Sequence, residues 1–363
     1  MDSLLAWITW NPSREAFTVP LIDRPVTWYG ILFASGFAIC YLLLIYIFKI
    51  QIWRTGKISK LWVKNWPKFI SELKTSPLQS HVSSPVSKDN KDEIVNNLNQ
   101  LITNPQIAPT RKAGMQLLHK KFPTSFMSAY DVSFYLIDRL LWYAILGTLI
   151  GARLGHVLFY ELARYLQNPL EIFMVWNGGL ASHGAAIGLL LATYLFYVRY
   201  RDSLPGSSYF LFLDLFTIPV PIAGACIRLG NFINQEILGT PTTLPWAIIF
   251  GNPADGSAVL PRHPVMLYEA AAYLLIFGLS YTLWKYRGSK FGPGFFSGLF
   301  FTLVFSARFI MEFLKVAQTD VVVIPGMRMG QLLSIPFIIL GLLLIWRSYL
   351  VASPAWHSKE YHP

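Results

Sequence analysis

Apolar residues dominate this chain in blocks of about twenty, and within each block they cover every helical face instead of one stripe. The blocks fall at 28–48, 139–160, 178–197, 209–230, 264–284, 294–314 and 329–346. A helix of about twenty residues rises about 30 Å, the thickness of a bilayer's hydrocarbon core. The pattern predicts an all-α polytopic membrane protein with about seven transmembrane helices. Residues 1–26, with Trp7, Trp10 and several prolines, read as a lead-in lying at the membrane surface, and together with the first helix they make a region 1–48. Mixed sequence precedes the first block and no small-residue cleavage site accompanies it, so the block reads as an anchor and not a removed signal.

The polar stretches differ in kind. Residues 49–135 carry a run of lysines with Trp53, Trp62 and Trp66 among them, which predicts an interfacial helix. The Ser-, Pro- and Asn-containing middle, about 75–112, reads as a disordered linker. Residues 136–348 then read as a six-helix membrane core with an outer loop at 231–263, and 349–363 as a polar tail.

Composition supports this reading. The 363 residues are 54% hydrophobic and only 13% charged, whereas soluble domains carry about 25% charged residues. A net charge of +11 in a soluble protein would suggest a nucleic-acid partner; here it reads as an orientation signal, and no nucleic acid is expected. Lys and Arg cluster at 49–121, 199–201, 285–290 and 347–359, on alternate loops, which places the N-terminus outside and the C-terminus in the cytoplasm. Cys40 and Cys226 both lie in apolar blocks, and neither a disulfide framework, a metal-ligand spacing nor a Gly-rich nucleotide loop occurs. No cofactor or metal is expected.

With those helix directions, Tyr29, Arg153, His183, Arg228, His263, Tyr268, Glu269, Arg308, Glu312 and Gln331 all fall toward the outer face. An ionisable side chain inside a bilayer costs several kcal/mol unless compensated, so such residues mark function by default. Their clustering in one leaflet predicts a single polar cavity open to the outer surface. Arg228, Asn231 and Asn234 are three apart and share a helical face, offering a guanidinium fork and amides to a phosphate or carboxylate. The competing reading is a helix cap with a snorkelling arginine. His183 lies among small residues and serves as a general base or an interhelical hydrogen bond; beside three intramembrane arginines the base is preferred. Arg308 and Glu312, four apart, predict an internal ion pair that still leaves Arg308 able to meet an anionic ligand. Arg153 reads as a packing or field-shaping residue, His263 as structural between two prolines, and Cys226 as a small filler.

The order of these motifs resembles the prolipoprotein diacylglyceryl transferase family. The likeness rests on Trp28-Tyr29-Gly30, on 151–160 and 177–184, on Arg228-Leu229-Gly230-Asn231-Phe232-Ile233-Asn234 followed by Glu236 and Gly239, on 261–269, on Arg308 with Glu312, and on Met329-Gly330-Gln331. It covers about 27–48 and 138–347 and leaves out the basic insertion. The resemblance implies a multi-pass transferase of the bacterial cytoplasmic (inner) membrane. Such an enzyme moves the diacylglyceryl group of phosphatidylglycerol onto the lipobox cysteine thiol in a preprolipoprotein signal peptide and releases glycerol phosphate. It also implies roles: His183 as base toward the thiol, Arg228 and Arg308 on the leaving phosphate, and Tyr29, Asn231, Glu236 and Gly239 lining or shaping the site. Glu312 would orient Arg308. The chain departs from the family pattern at Val304, where a tyrosine is usual, at Ala185 in place of a second glycine, and at Thr27 in place of histidine.

The alternative from another class is a transporter or flippase for an anionic lipid. It would show paired repeats and broken helices meeting at the midplane. This chain has an odd number of predicted spans, no repeat, and polarity confined to one leaflet. An enzyme of headgroup exchange is the second alternative.

Overall fold

The computed structural model describes residues 7–20, 23–82, 90–174, 176, 178–205, 208–316 and 327–351. Contacts divide the chain into two compact units, residues 1–44 with 213–354, and residues 45–212 with 355–363. Among the described residues, six helices are long and apolar enough to cross a membrane: Trp28–Thr55, Ala129–Phe159, Tyr209–Asn234, Val265–Arg287, Phe295–Glu312 and Met329–Leu350. The third predicted span is helical over Ser182–Tyr200, 19 residues, and is not among those six. The chain is mostly helical and not purely so, because two small sheets accompany the helices.

In the first unit, α1 (Trp28–Thr55) contributes its N-terminal part. The lead-in contains strands. Its strand β1 (Ile8–Trp10) pairs in parallel with β4 (Ile248–Phe250), and β4 pairs antiparallel with β5 (Pro261–Arg262). β2 (Glu15–Val19) and β3 (Arg24–Thr27) form a separate antiparallel pair. Three-residue strands carry too little alternation to stand out in sequence. Trp10 stacks on Phe232 at 4.7 Å and donates its indole N–H to the Phe232 carbonyl at 3.1 Å. Phe232, Leu238, Ile248, Phe250 and Met266 form a buried cluster beneath that sheet, and it fixes the loop after residue 231.

The fourth predicted span is two helices, α8 (Tyr209–Thr217) and α9 (Val220–Asn234), separated where Pro219 and Pro221 interrupt the backbone hydrogen-bond ladder. α10 (Val265–Arg287) packs on α9 through Ala225, Ala270, Tyr273 and Ile276. α11 (Phe295–Glu312) starts at Gly294, whose φ of 101° needs a residue without Cβ. Its exposed amide ends are met from α8: the fully buried Asp214 accepts from Gly294 N and Ser297 N, both at 2.7 Å. A carboxylate there satisfies two orphan donors and complements the helix dipole. α12 (Met329–Leu350) runs alongside α11, with Gly298 and Gly341 permitting close approach.

In the second unit, part of the predicted linker is helical. α2 (Trp66–Lys74), α3 (Lys91–Thr103) and α4 (Arg111–Lys121) enclose Trp62, Phe69, Leu73, Ile94, Leu98, Ile102, Leu118 and Phe126. Ile94, Leu98, Leu101 and Ile102 recur at helical spacing between asparagines, and that period was hidden by the polar composition. Trp62 belongs to this core, 1% exposed, and does not lie at a bilayer interface. α5 (Ala129–Phe159) opens on a capping box made by Ser128 and Asp131. It packs on α7 (Ser182–Tyr200) along two rows of small residues, Gly147, Gly151 and Gly155 against Gly184, Gly188 and Ala192. A Cβ on Gly188 would collide with the Gly147 carbonyl, so the two backbones touch. Short α6 (Leu162–Gln167) follows α5.

Candidate active site

Local sequence sets each polar side chain of the first unit at the end of a helix. Tyr29 is in the first turn of α1, Arg228 and Asn231 in the last turns of α9, Glu269 near the start of α10, Arg308 and Glu312 at the end of α11, and Gln331 in the first turn of α12. Contacts join these ends. A Cβ on Gly230 would strike the Tyr29 ring, so α9 abuts the start of α1. Arg228 Nε pairs with Glu269 Oε2 at 2.9 Å, and Lys315 Nζ with Glu269 Oε1 at 2.7 Å. Lys315 also reaches Glu312 Oε2 at 3.5 Å, and the Glu312 carboxyl lies against Gly330, where a Cβ would not fit.

The motif after Arg228 is a hydrogen-bonded relay. Arg228 Nη1 donates to Asn231 Oδ1 at 3.2 Å, Asn231 Nδ2 to Glu236 Oε2 at 2.9 Å, and Asn234 Nδ2 to Glu236 Oε1 at 3.0 Å. The chain turns there through Gln235 and Ile237, with φ of 56° and 58°. For a β-branched residue such as Ile237, the left-handed region costs about 1–2 kcal/mol, so the surrounding contacts hold the turn. Buried Gln235 supplies some of them, accepting from Asn252 N at 2.7 Å. Gly239 packs against the His263 backbone, bridges to Lys315 and accepts from Arg262 Nη1 at 3.2 Å. It shapes the turn by allowing that approach.

Arg308 differs from Arg228. It is half-buried, and among the described residues it makes no hydrogen bond or ion pair. Tyr273 on α10 lies within electrostatic reach of both Arg228 and Arg308. The expected Arg308–Glu312 pair does not form. Glu312, the last residue of α11, turns its carboxylate to Lys315 beyond the helix end, and Arg328 donates to the backbone carbonyls of Glu312 and Lys315. Lys315, 3% exposed, was missed in sequence because it closes an apolar run and reads as a loop lysine. Glu269, fully buried, was noticed only as one polar residue among several. Contacts join Arg228, Lys315 and Arg328 to Glu236, Glu269 and Glu312, three cations to three acids, and leave Arg308 outside that balanced network. An anion is the complement of that remaining guanidinium.

The remaining predicted residues behave otherwise. Arg153, 5% exposed, donates to the carbonyls of Glu171, Ile172, Met174, Gly178 and Gly179 and lies 5.0 Å from the Tyr165 ring. It organises the segment after α6, in line with a packing role. His183 is in the first turn of α7 and exposed. It belongs to the second unit, whereas Tyr29, Arg228, Asn231, Glu236, Gly239, Arg308 and Glu312 belong to the first. His263 lies 3.5 Å from the Tyr268 hydroxyl, which accepts from Trp246 Nε1 at 2.7 Å. Asn177 and the tail from residue 352 fall outside the described residues. Cys40 is buried and Cys226 partly so, both as free thiols.

Six helices long and apolar enough to cross a membrane, with charged side chains gathered at their ends, place the chain in the class of multi-pass membrane proteins. Residues 113–347 match the family model described as prolipoprotein diacylglyceryl transferase. A phosphatidylglycerol–prolipoprotein diacylglyceryl transferase of Protochlamydia amoebophila is 42% identical over 362 residues, covering 94% of this chain and 95% of the relative. Proteins of the same name from Chloroherpeton thalassium and Tolumonas auensis are each 46% identical, over 65% and 58% of this chain and 83% and 78% of their own lengths. The chain belongs to the prolipoprotein diacylglyceryl transferase family. The 94% coverage means that the Protochlamydia relative shares much of the basic insertion.

Proposed function

We propose that this protein transfers the diacylglyceryl group from phosphatidylglycerol to the lipobox cysteine of a preprolipoprotein signal peptide, the first step of bacterial lipoprotein maturation. The thiol sulfur attacks the glyceryl carbon that bears the phosphate. A C–S thioether bond forms, the C–O bond to phosphate breaks, glycerol phosphate leaves with the electron pair, and the thiol proton passes to a base. Free thiols have a pKa near 8.5, so the thiolate must be generated locally. His183 is the proposed base, exposed at the start of its helix.

The observation that carries the reading is Arg308, half-buried at the end of a membrane-length helix and uncommitted to any carboxylate among the described residues. Unpaired guanidinium in such a place is matched by a phosphodiester, whose growing negative charge it stabilises as the C–O bond breaks. Arg228, held by Glu269 and Asn231, presents a fixed field to the same group. Tyr29, Asn231, Glu236 and Gly239 shape the binding surface, and Glu312 acts through Lys315. The reading includes seven spans, with α7 as a short one packed on α5, an external N-terminus, a cytoplasmic C-terminus, and residence in the bacterial inner membrane.

Purified protein supplied with a lipobox peptide and glycerol-labelled phosphatidylglycerol tests it. Label should appear on the peptide thiol, and blocking that cysteine should abolish it. Label recovered only in a new lipid headgroup would favour headgroup exchange instead.

A further inference from the structure

The basic insertion is a folded module whose charge the transfer reaction does not use. Residues 49–128 hold thirteen of the chain's thirty Lys and Arg but only four of its nineteen Asp and Glu. Orientation by positive charge needs no folded domain, and this one has a core of its own around Trp62, Phe69 and Phe126.

Its place relative to a bilayer follows from helix length. α1 has 28 residues, and about twenty suffice to cross the hydrocarbon. Counted from Trp28, about twenty residues end near Phe48, so Lys49 and Trp53 fall at the expected hydrocarbon edge, on a helical turn whose Ile50, Gln51, Ile52 and Arg54 are buried in the module. Two cations meet there around one indole. Lys49 Nζ lies 5.3 Å from the Trp53 ring and 5.3 Å from the Tyr46 ring, while Lys112 Nζ, from the start of α4, lies 4.6 Å from Trp53. The two ammonium groups are therefore no further apart than the sum of their distances to the shared ring. Among the described residues neither makes an ion pair or a hydrogen bond. Elsewhere in the module lysines do find carboxylates, as Lys60 with Asp92 at 2.8 Å and Lys64 with Asp131 at 3.6 Å. Two ammonium groups on one indole, neither paired with an acid among the described residues, make a positive site that an anion complements. Tyr46, with Tyr130 exposed in the first turn of α5 and Trp53 partly so, supplies the Tyr and Trp side chains that suit a membrane–water interface.

We propose that Lys49, Trp53 and Lys112 form a binding site for the phosphate of an anionic phospholipid, which docks the module onto the leaflet from which α1 and α5 emerge. Bilayer phosphate lies at this depth already, and its negative surface potential complements the module's charge. Cation–π contact with Trp53 keeps both ammonium groups at the hydrocarbon edge, where a soluble anion is scarce. The site is separate from the cluster around Arg228 and does not rest on the transferase reading.

The test uses the full-length protein in a neutral detergent, titrated with dansyl-labelled phosphatidylserine, a lipid outside the proposed donor class, and reads tryptophan-to-dansyl energy transfer. Wild-type protein should show a saturable component that weakens with salt, and labelled phosphatidylcholine should not. In Lys49→Gln/Lys112→Gln the affinity should fall roughly tenfold or more. Lys49→Arg/Lys112→Arg should keep it, and so should Lys74→Gln/Lys120→Gln, which removes two exposed charges elsewhere in the module. Unchanged binding in the first double variant overturns the proposal. Competition by inorganic phosphate as effective as by unlabelled lipid overturns it in favour of a soluble-anion site, and equal displacement by polyglutamate overturns it in favour of an acidic protein partner.

Discussion

Arg228 and Arg308 are the same residue type doing different work, and the difference is a matter of partners. Arg228 is tied into Glu269 and the Asn231–Glu236 relay, so its loss disturbs structure and field together. Arg308 carries its charge without an acidic partner among the described residues. Substituting Arg308→Gln should lower the transfer rate by roughly 10²–10³ while leaving the thermal midpoint in detergent essentially unchanged, as expected for a group that acts on charge developing in the transition state. A large loss of stability instead would show that Arg308 is a packing residue. Glu269→Gln should do the reverse of sparing the fold: it removes the buried carboxylate that Arg228 and Lys315 share, leaving Lys315 only the longer contact to Glu312, and breaking such a buried set costs about 3–5 kcal/mol. A melting curve reads that directly, and a midpoint equal to wild type would contradict the pairing. These two residues also mark how far the site was legible. Arg228, Asn231, Glu236 and Arg308 announced themselves as costly groups in apolar surroundings. Lys315 did not, because a lysine just beyond an apolar block is the commonest of interfacial residues, and only the folded chain turns it inward between Glu269 and Glu312. The Arg308–Glu312 spacing was misleading for a related reason: four-residue spacing permits a pair, but a glutamate at a helix end has neighbours beyond the helix.

At the scale of elements, the membrane helices were readable because twenty apolar residues admit few other structures. The helices of the insertion were not, since asparagine and glutamine between Ile94, Leu98 and Leu101 resemble a linker until the period is counted. The sheet of β1, β4 and β5 joins segments more than two hundred residues apart, and no local pattern specifies that pairing. Pairing of α5 with α7 lies between these cases. Gly147, Gly151 and Gly155 are spaced four apart, as are Gly184 and Gly188, and the spacing becomes informative once two such rows are set face to face. Gly188→Leu should force the backbones apart and destabilise the protein by about 1–3 kcal/mol or more. Gly278→Leu, on α10 where a Cβ has open space within 4 Å, should be tolerated. Equal melting behaviour in the two variants would show that close backbone contact does not hold α5 to α7.

For the whole molecule, orientation and chemistry are linked. A lipid donor and a signal peptide that both lie in the bilayer are reached from the side, and the proposed direction puts the Arg228–Arg308 cluster toward the outer leaflet and the basic insertion toward the cytoplasm. Single cysteines introduced at Ser80, in the insertion, and at Ala254, in the loop after α9, report this when the protein is expressed in a bacterial inner membrane. An impermeant maleimide added outside should label Ala254→Cys and spare Ser80→Cys; the opposite pattern would invert the protein.

The central claim is that carbon–oxygen bond cleavage at the phosphate of phosphatidylglycerol is coupled to thioether formation on a cysteine. Mass spectrometry of a single reaction reads both products at once. The account predicts a peptide heavier by one diacylglyceryl group on sulfur together with an equal amount of glycerol phosphate. Free glycerol phosphate without modified peptide, or lipid moved across vesicles with neither product formed, would contradict it.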